Sequence, residues 1–367
     1  MKYIKEFRDV SMCKKIIKNM HNKSSKPINI MEVCGSHTMA IYKNGIDKLI
    51  PSNINLISGP GCPVCVTPRE YIDKVLELSK MKNVIITTFG DMVKLPGSFK
   101  SLREQRASGA DIRVVYCPLD CVKIAEENPN KEVVFLAVGF ETTTPIIALV
   151  VKEAKRKKLK NFTLLQNLKT MPGIMEKIIL DKETSIDGFI CPGNVSSIIG
   201  SKPFENLSKT YNIPMVIAGF ESCDVLCAIY MLMEMLEKSQ YSLKNIYKRL
   251  VKPCGNEKAK LVVNEVFSKD KSFWRGFGFV ENTGLKFNEN YKEFNAENKF
   301  NIEFYYNDSE FNEECICEKI IKGIKKPYEC RLFSKVCNPV NPIGPCMVSV
   351  EGSCFSYFKY GEYSFDK

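Results

Sequence analysis

Residues 132–158 read EVVFLAVGFETTTPIIALVVKEAKRKK. The stretch opens on a continuous apolar run rich in valine, turns at Gly139-Phe140-Glu141, and restarts at Thr144-Pro145 as an apolar segment that ends in lysines. Thr-Pro is a helix-start device, because proline is pre-shaped for the first helical position. The stretch therefore predicts strand, loop and helix. A strand with no polar alternation is covered on both faces, which points to a parallel sheet flanked by helices.

The same unit recurs from about residue 28 to 240. Its other apolar runs are INIMEV, INLIS, NVIITTF, DIRVVY, FTLLQ, DGFI and MVIAGF. Strand-to-helix loops of open α/β sheets are where ligands bind. Two of these loops share Gly-Phe-Glu, at 139–141 and 219–221, a hint of internal duplication. After about residue 255 the pattern changes to short aromatic runs and turns, a small β or mixed segment. From Cys315 the chain is dense in cysteine, with proline and glycine as punctuation. The expected division is a helical segment at 1–27, α/β domains at 28–120 and 121–254, and a C-terminal region at 255–367. The cysteine lobe occupies about 312–367 of that region.

A chain of 367 residues can bury a large core and splits into two or three domains. The formal charge is +11, yet the lysines are scattered along the chain. The densest run, VKEAKRKKLKN from Val151, reads as the solvated end of a helix. No interleaving of basic with aromatic residues suggests nucleic acid. The N-terminus MKYIKEFRDV lacks the apolar core of a signal peptide. No segment approaches the roughly 18 uninterrupted apolar residues of a membrane span. A cytoplasmic location follows as the expectation.

Sixteen cysteines in a cytosolic chain point to metal binding or redox chemistry rather than a structural disulfide framework. Only His21 and His37 are present, so a metal site must rely on sulfur, which favours zinc or iron–sulfur. The chemistry-bearing residues fall into three groups. In MEVCGSHT (31–38), Cys34 ends a strand, Gly35 permits a sharp turn, and His37 follows as proton acceptor, thiol partner or metal ligand. The thiol is expected at the carboxyl edge of the sheet, exposed in an inter-domain cleft.

In GPGCPVCVTPRE (59–70), Cys62 and Cys65 form a Cys-x-x-Cys pair that reads as a redox dithiol. Thr67 as N-cap, Pro68 and Glu70 would build a capping box whose dipole lowers one thiol's pKa. Half a zinc site and ordinary packing are the alternatives. The tail holds Cys315, Cys317, Cys330, Cys337, Cys346 and Cys354 at long, uneven gaps. Six thiols exceed the four that zinc or a cubane cluster takes, so a cluster plus a spare dithiol fits the count better than a zinc lobe. Cys13, Cys191, Cys223, Cys227 and Cys254 read as buried small hydrophobes.

In this order, MEVCGSHTMAI, SGPGCPVCVTP, TTFGDMVKLPGS, VGFETTTP, CPGNVSSIIG and the tail from CICEKIIKGIKKPYEC to NPIGPCMVSVEGSCFSYFKYG resemble the HypD family of [NiFe]-hydrogenase accessory proteins. The resemblance runs nearly end to end. One departure is Asn194, where the family usually has histidine.

The resemblance implies two Rossmann-like α/β domains plus a [4Fe–4S] lobe similar to ferredoxin–thioredoxin reductase. It implies hydrogenase maturation: a scaffold on which iron acquires two cyanides and one carbon monoxide. The expected partners are a small HypC-like chaperone that shares the iron and a HypE-like protein that presents cyanide as a thiocyanate. Neither nucleic acid nor membrane is an expected partner, and the chain alone is expected to be a monomer. Carried over by residue, Cys34 becomes the iron-binding thiolate with His37 beside it, and Cys62 and Cys65 become the redox dithiol. The family's spacing selects Cys315, Cys330, Cys337 and Cys354 as cluster ligands and leaves Cys317 and Cys346 as an accompanying disulfide. The competing reading is an iron–sulfur protein disulfide reductase, which gives Cys34 no role.

Overall fold

A computed structural model describes residues 5–23, 26–306 and 314–361. The eight apolar runs become strands: β1 (Ile28–Glu32), β2 (Ile54–Ser58), β3 (Val84–Thr88), β4 (Ile112–Val114), β5 (Glu132–Gly139), β6 (Phe162–Leu168), β7 (Gly188–Pro192) and β8 (Met215–Ala218). A short half-exposed strand, β9 (Leu243–Asn245), joins them.

They form two sheets, ordered β2-β1-β7-β8-β9 and β4-β3-β5-β6, and every pair within them is parallel. These are two Rossmann-like α/β bodies, and both wind alike: the first strand lies inside, the second outside it, and the third returns to the first strand's other flank. Strand order therefore reverses between β1 and β7 in one sheet and between β3 and β5 in the other. Such switch points leave a crevice at the carboxyl ends of the strands.

The chain does not visit the sheets in series. It leaves the first after β2, builds the whole second sheet over residues 84–168, and returns at β7. A boundary at residue 120 would cut the second sheet, because β3, buried along its length, pairs with both β4 and β5. The two Gly-Phe-Glu loops follow β5 and β8, the third strand of one sheet and the fourth of the other. They are not equivalent positions, so the tripeptide does not mark a duplication in register.

Beyond residue 255 come a helix, Glu257–Val266, and an antiparallel hairpin of β10 (Phe267–Trp274) and β11 (Gly278–Phe287). The hairpin covers the second sheet: Phe267 and Phe287 share a core with Phe135 and Phe162. Gln166 Nε2 donates to Leu285 O at 2.8 Å, and Thr170 N–H to Thr283 O at 2.8 Å. The helix makes this the mixed form of the expected small β or mixed segment: Leu261 is exposed, while Val262, Val263 and Val266 pack on the second sheet's core.

In the basic run, Lys152, Arg156, Lys157 and Lys160 pair with Glu265, Glu153, Glu126 and Glu293. Among the described residues no helix is long and apolar enough to cross a membrane. Parts of the expected 1–27 segment and of the 312–367 lobe lie outside the described residues.

Candidate functional site

Cys34 leaves β1 in an extended conformation, φ −148° and ψ 117°, and serves as N-cap of the helix Gly35–Lys43. Its carbonyl accepts from the N–H groups of His37 (2.8 Å) and Thr38 (3.2 Å), and its own N–H donates to Glu32 Oε2 at 3.0 Å. The next position must be glycine: a Cβ on Gly35 would lie 2.4 Å from both Cβ and O of Glu351. The thiol is 7% exposed rather than open to a cleft. Burial, and then the nearby Glu351 carboxylate, push it up to about 12, while the backbone amides of Ser36 and His37 pull the other way. Helix-start amides favour a thiolate here, but desolvation outweighs them.

His37 is fully buried. Its Nε2 lies 2.9 Å from Gly219 O, so this nitrogen carries the proton and donates, leaving Nδ1 without a hydrogen-bond partner among the described residues. The ring rests on Phe220 with centroids 4.5 Å apart, and burial holds the imidazole neutral, down to about 4. The expected partnership with the Cys34 thiol is thus not what its hydrogen bond serves. It ties the Cys34 helix to the loop after β8.

The dithiol loop lies backbone to backbone on this turn. Gly59 N–H donates to Glu32 O at 2.8 Å and Gly35 N–H to Gly61 O at 3.1 Å. A Cβ on Gly61 would stand 2.4 Å from Cys34 N and 2.5 Å from its Cα. In the loop, Cys65 N–H donates to Cys62 Sγ at 3.3 Å.

The expected capping box is absent. Thr67 Oγ1 donates to Pro63 O at 2.8 Å and accepts from Asn167 Nδ2 at 2.9 Å, so the hydroxyl is tied back into the loop. The helix starts at Arg69, with Pro68 as N-cap. Dipole stabilisation fades within a turn, and Cys65 lies beyond it. Burial, with Cys346 and Cys62 in contact, instead raises the Cys65 thiol well above its ordinary value.

The tail is seated on the carboxyl edges of both sheets. Ser36 Oγ donates to Glu351 Oε1 at 2.9 Å, and Ser349 Oγ donates to Asp91 Oδ2 at 3.0 Å just past β3. Lys326 Nζ donates to Leu56 O, and the hydroxyls of Tyr42 and Tyr357 meet. All six tail cysteines line one small cavity, with Ile320, Phe333 and Met347 among its apolar walls.

Cys317 and Cys346 lie Sγ to Sγ at 2.8 Å, and Cys346 is in turn within hydrogen-bonding reach of Cys65 and Cys354. Two dithiols separated in sequence thus form one contiguous series: Cys62, Cys65, Cys346, Cys317. The loop carrying Cys62 and Cys65 touches the first sheet through Gly61, the second through Asn167 and the lobe through Cys346.

The cavity is small, about 10 Å³, so what it offers a metal group is its ring of thiols rather than ready-made space. Among the described residues no three His, Cys, Asp or Glu side chains gather to close on a single metal, as a zinc lobe would need. Cys315, Cys330, Cys337 and Cys354 instead share the walls of one cavity, and a cubane takes one thiolate at each corner. Gly344 keeps the space open: its Cβ would come within 2.7 Å of Cys315 Sγ. Ile343 N–H donates to Cys337 Sγ at 3.3 Å, the sort of amide that steadies a ligating sulfur.

Four neighbours of the site are assigned no role from the sequence. Glu32, buried below Cys34 and raised to about 8 by burial, is signalled only as a lone charge in an apolar run. Arg275 is buried in the hairpin turn; its Nε and Nη2 donate to Thr67 O at 3.0 and 2.6 Å, and its charge only partly offsets the Cys346 contact and burial that raise the Cys317 thiol well above its ordinary value. Glu351 and Asn167 reach the site from distant segments. Asn194 is exposed after β7, and Cys254 is exposed rather than buried.

A family model named HypD and described as the hydrogenase formation hypA family matches residues 11–361. The chain belongs to the HypD family. Among relatives of this HypD chain, the hydrogenase maturation factor HypD of Cupriavidus necator is 42% identical over 373 residues, covering 99% of this chain and 98% of its own length. The hydrogenase expression/formation protein HupD of Azotobacter chroococcum is 42% identical over 370 residues, covering 98% of this chain and 97% of its own. HypD of Azotobacter vinelandii is 41% identical over 370 residues, with the same coverage.

Proposed function

We propose that this chain acts in hydrogenase maturation in the cytoplasm. It is a scaffold on which an iron cargo receives two cyanides and one carbon monoxide, monomeric by itself and engaged by HypC-like and HypE-like partners. The observation that carries the reading is the series Cys317, Cys346, Cys65, Cys62, whose last loop packs directly on Cys34. Family membership and the printed names of the relatives support the process.

In this reading Cys34 binds the iron cargo as thiolate, a soft ligand suited to iron carrying cyanide and carbon monoxide. Cys62 and Cys65 supply two electrons. With a carrier thiocyanate, the sulfur–carbon bond breaks, the carrier sulfur leaves as thiolate and cyanide passes to iron. The dithiol closes to a disulfide and releases two protons. Cys346 and Cys317 re-reduce that disulfide by exchange, since each sulfur lies against the next. Cys315, Cys330, Cys337 and Cys354 would hold a [4Fe–4S] cluster, which when bound supplies electrons one at a time. Arg275 partly offsets the Cys346 contact and burial that hold Cys317 as a thiol, and Glu351 fixes the Cys34 turn through Ser36.

A general protein disulfide reductase fits the geometry less well. It would use the tail thiols and the dithiol but leaves Cys34, packed against the dithiol loop through Gly61, without a role.

The test is co-purification with a HypC-like protein followed by infrared spectroscopy. Cys34→Ala is expected to keep the fold and the brown cluster colour and to lose the cyanide and carbon monoxide bands. Bands that persist in this variant place the iron elsewhere.

A further inference from the structure

A second pair of thiols lies far from the relay. The N-terminal helix Val10–His21 carries Cys13, and the helix Ser222–Glu237 carries Cys223 in its first turn. Their sulfurs are 3.0 Å apart, inside the sum of two sulfur radii, and no motif of the proposed chemistry uses them. Cys223 is buried and Cys13 half-buried, so Cys13 is the more accessible of the two.

The two helices are already held in register. Arg8 Nη2 donates to Glu221 Oε1 at 2.8 Å, and the Arg249 guanidinium sits 3.7 Å from the Phe7 ring while bonding Asp224 Oδ1 at 2.9 Å. Cys223 Sγ lies 3.5 Å from Asp9 O, the residue that caps the N-terminal helix. The pair therefore meets by design of the surrounding contacts, without needing a chance fluctuation to bring it together.

We propose that Cys13 and Cys223 form a disulfide when the protein meets a low-molecular-weight disulfide such as oxidised glutathione. The thiolate of Cys13 attacks the external disulfide, forming a mixed disulfide and releasing one thiol. Cys223 gives up its proton to solvent and attacks the Cys13 sulfur, releasing the second thiol. One external disulfide is reduced to two thiols, and two protein thiols become one bond. Cys227, one turn further along the helix and half-buried, is the competing thiol. The bond would lock the N-terminal helix to the helix that follows the Gly219–Glu221 loop. That loop holds His37 through Gly219 O and the Phe220 ring, so the latch reaches the Cys34 turn from behind. This inference does not rest on the iron-scaffold reading.

The experiment uses the full chain, fully reduced under anaerobic conditions and then exposed to graded ratios of oxidised to reduced glutathione. Free thiols are trapped with a maleimide and the digest is mapped by mass spectrometry. The expected product is a peptide linking Cys13 to Cys223, absent in Cys13→Ser and in Cys223→Ser and reversed by a reductant. Hydrogen exchange in residues 10–21 should slow in the oxidised wild type and stay unchanged in either variant. Maleimide on both sulfurs at ratios that already oxidise Cys62 and Cys65 overturns the proposal. So does a stable glutathione adduct on Cys13, or a Cys13–Cys227 link in its place.

Discussion

Gly61→Ala tests whether the dithiol loop and the Cys34 turn form one site or merely two neighbouring loops. The added methyl would fall 2.4, 2.5 and 2.6 Å from Cys34 N, Cys34 Cα and Val33 C, where ordinary contacts begin at 3.4 Å. All three obstacles are backbone, so no rotamer change relieves them, and one loop must move by about 1 Å. Overpacking of this kind costs typically 1–3 kcal/mol, and backbone-only neighbours put this case at the upper end, about 3 kcal/mol. For 367 residues melting as one unit that corresponds to a fall in melting temperature of about 4 °C. Gly90→Ala is the control: its Cβ would meet only Val114 Cγ1 at 3.9 Å, and it opens a helix, so it should be neutral or slightly stabilising. The second readout is maleimide labelling of Cys34 and Cys62, both buried and slow in the wild type. Both should label faster in Gly61→Ala and unchanged in Gly90→Ala. If Gly61→Ala melts and labels like the control, the backbone contact is wrong, and with it the shared wall on which the scaffold reading depends.

Glu141 accepts from Met171 N–H at 2.8 Å through one oxygen, and the other has no partner among the described residues. Burial raises it from 4.5 to about 7, so the folded state keeps a proton that the unfolded chain has lost. Its contribution is fully present below about pH 4.5 and lost as pH rises through 7, about 3 kcal/mol in all. Glu141→Gln should flatten the decline in urea midpoint over that window, and an unchanged slope would refute the assignment. Cys330→Ser should abolish the brown absorbance, whereas Cys317→Ser should keep it and slow the re-reduction of Cys62–Cys65; equal bleaching in both would overturn the division into ligands and relay.

Strand and helix were legible because the apolar runs are long, β-branched and free of alternation, as in EVVFLAV, and each is followed by glycine, proline or threonine. Neighbourhood was not. Nothing in NVIITTF says that it pairs with residues 132–135 rather than with the first sheet, since every parallel strand carries the same signal. The three cysteine groups announced themselves by spacing, but their environment did not. The Thr67 hydroxyl looks like a helix cap until Asn167, a hundred positions on, and the Pro63 carbonyl claim it. Cys34 looks like an open thiol at a strand end until Gly61 and Glu351 close over it. Burial is a tertiary property, and at this site it outweighs the local dipole and the neighbouring histidine.

The lobe itself is an argument for a body bound among its thiols. Residues 314–361 contain one helix of 5 residues, one of 8 and two short 3-10 turns, so little of the segment is held by its own backbone ladder. Its outer anchors face the first sheet: Ile320, Ile321, Met347 and Tyr357 join that core, and Gly323 lies so close that a Cβ would be 2.3 Å from Ile57 Cγ2. The stretch around Cys330 and Cys337 sends Leu332, Phe333 and Cys337 into that core, but Cys330 is half-buried and Val336 and Val340 are exposed. Stripping the proposed cluster with a chelator under reducing conditions should therefore raise amide exchange over residues 327–343. Protection should survive in β1, in β5 and in the helix Cys317–Ile321. Loss of protection across β1 and β5 as well would mean that the sheets depend on the lobe. No change at 327–343 would mean that the thiols hold nothing there, and the lobe would have to be stable on its turns alone, which segments of this length and so little regular structure rarely achieve.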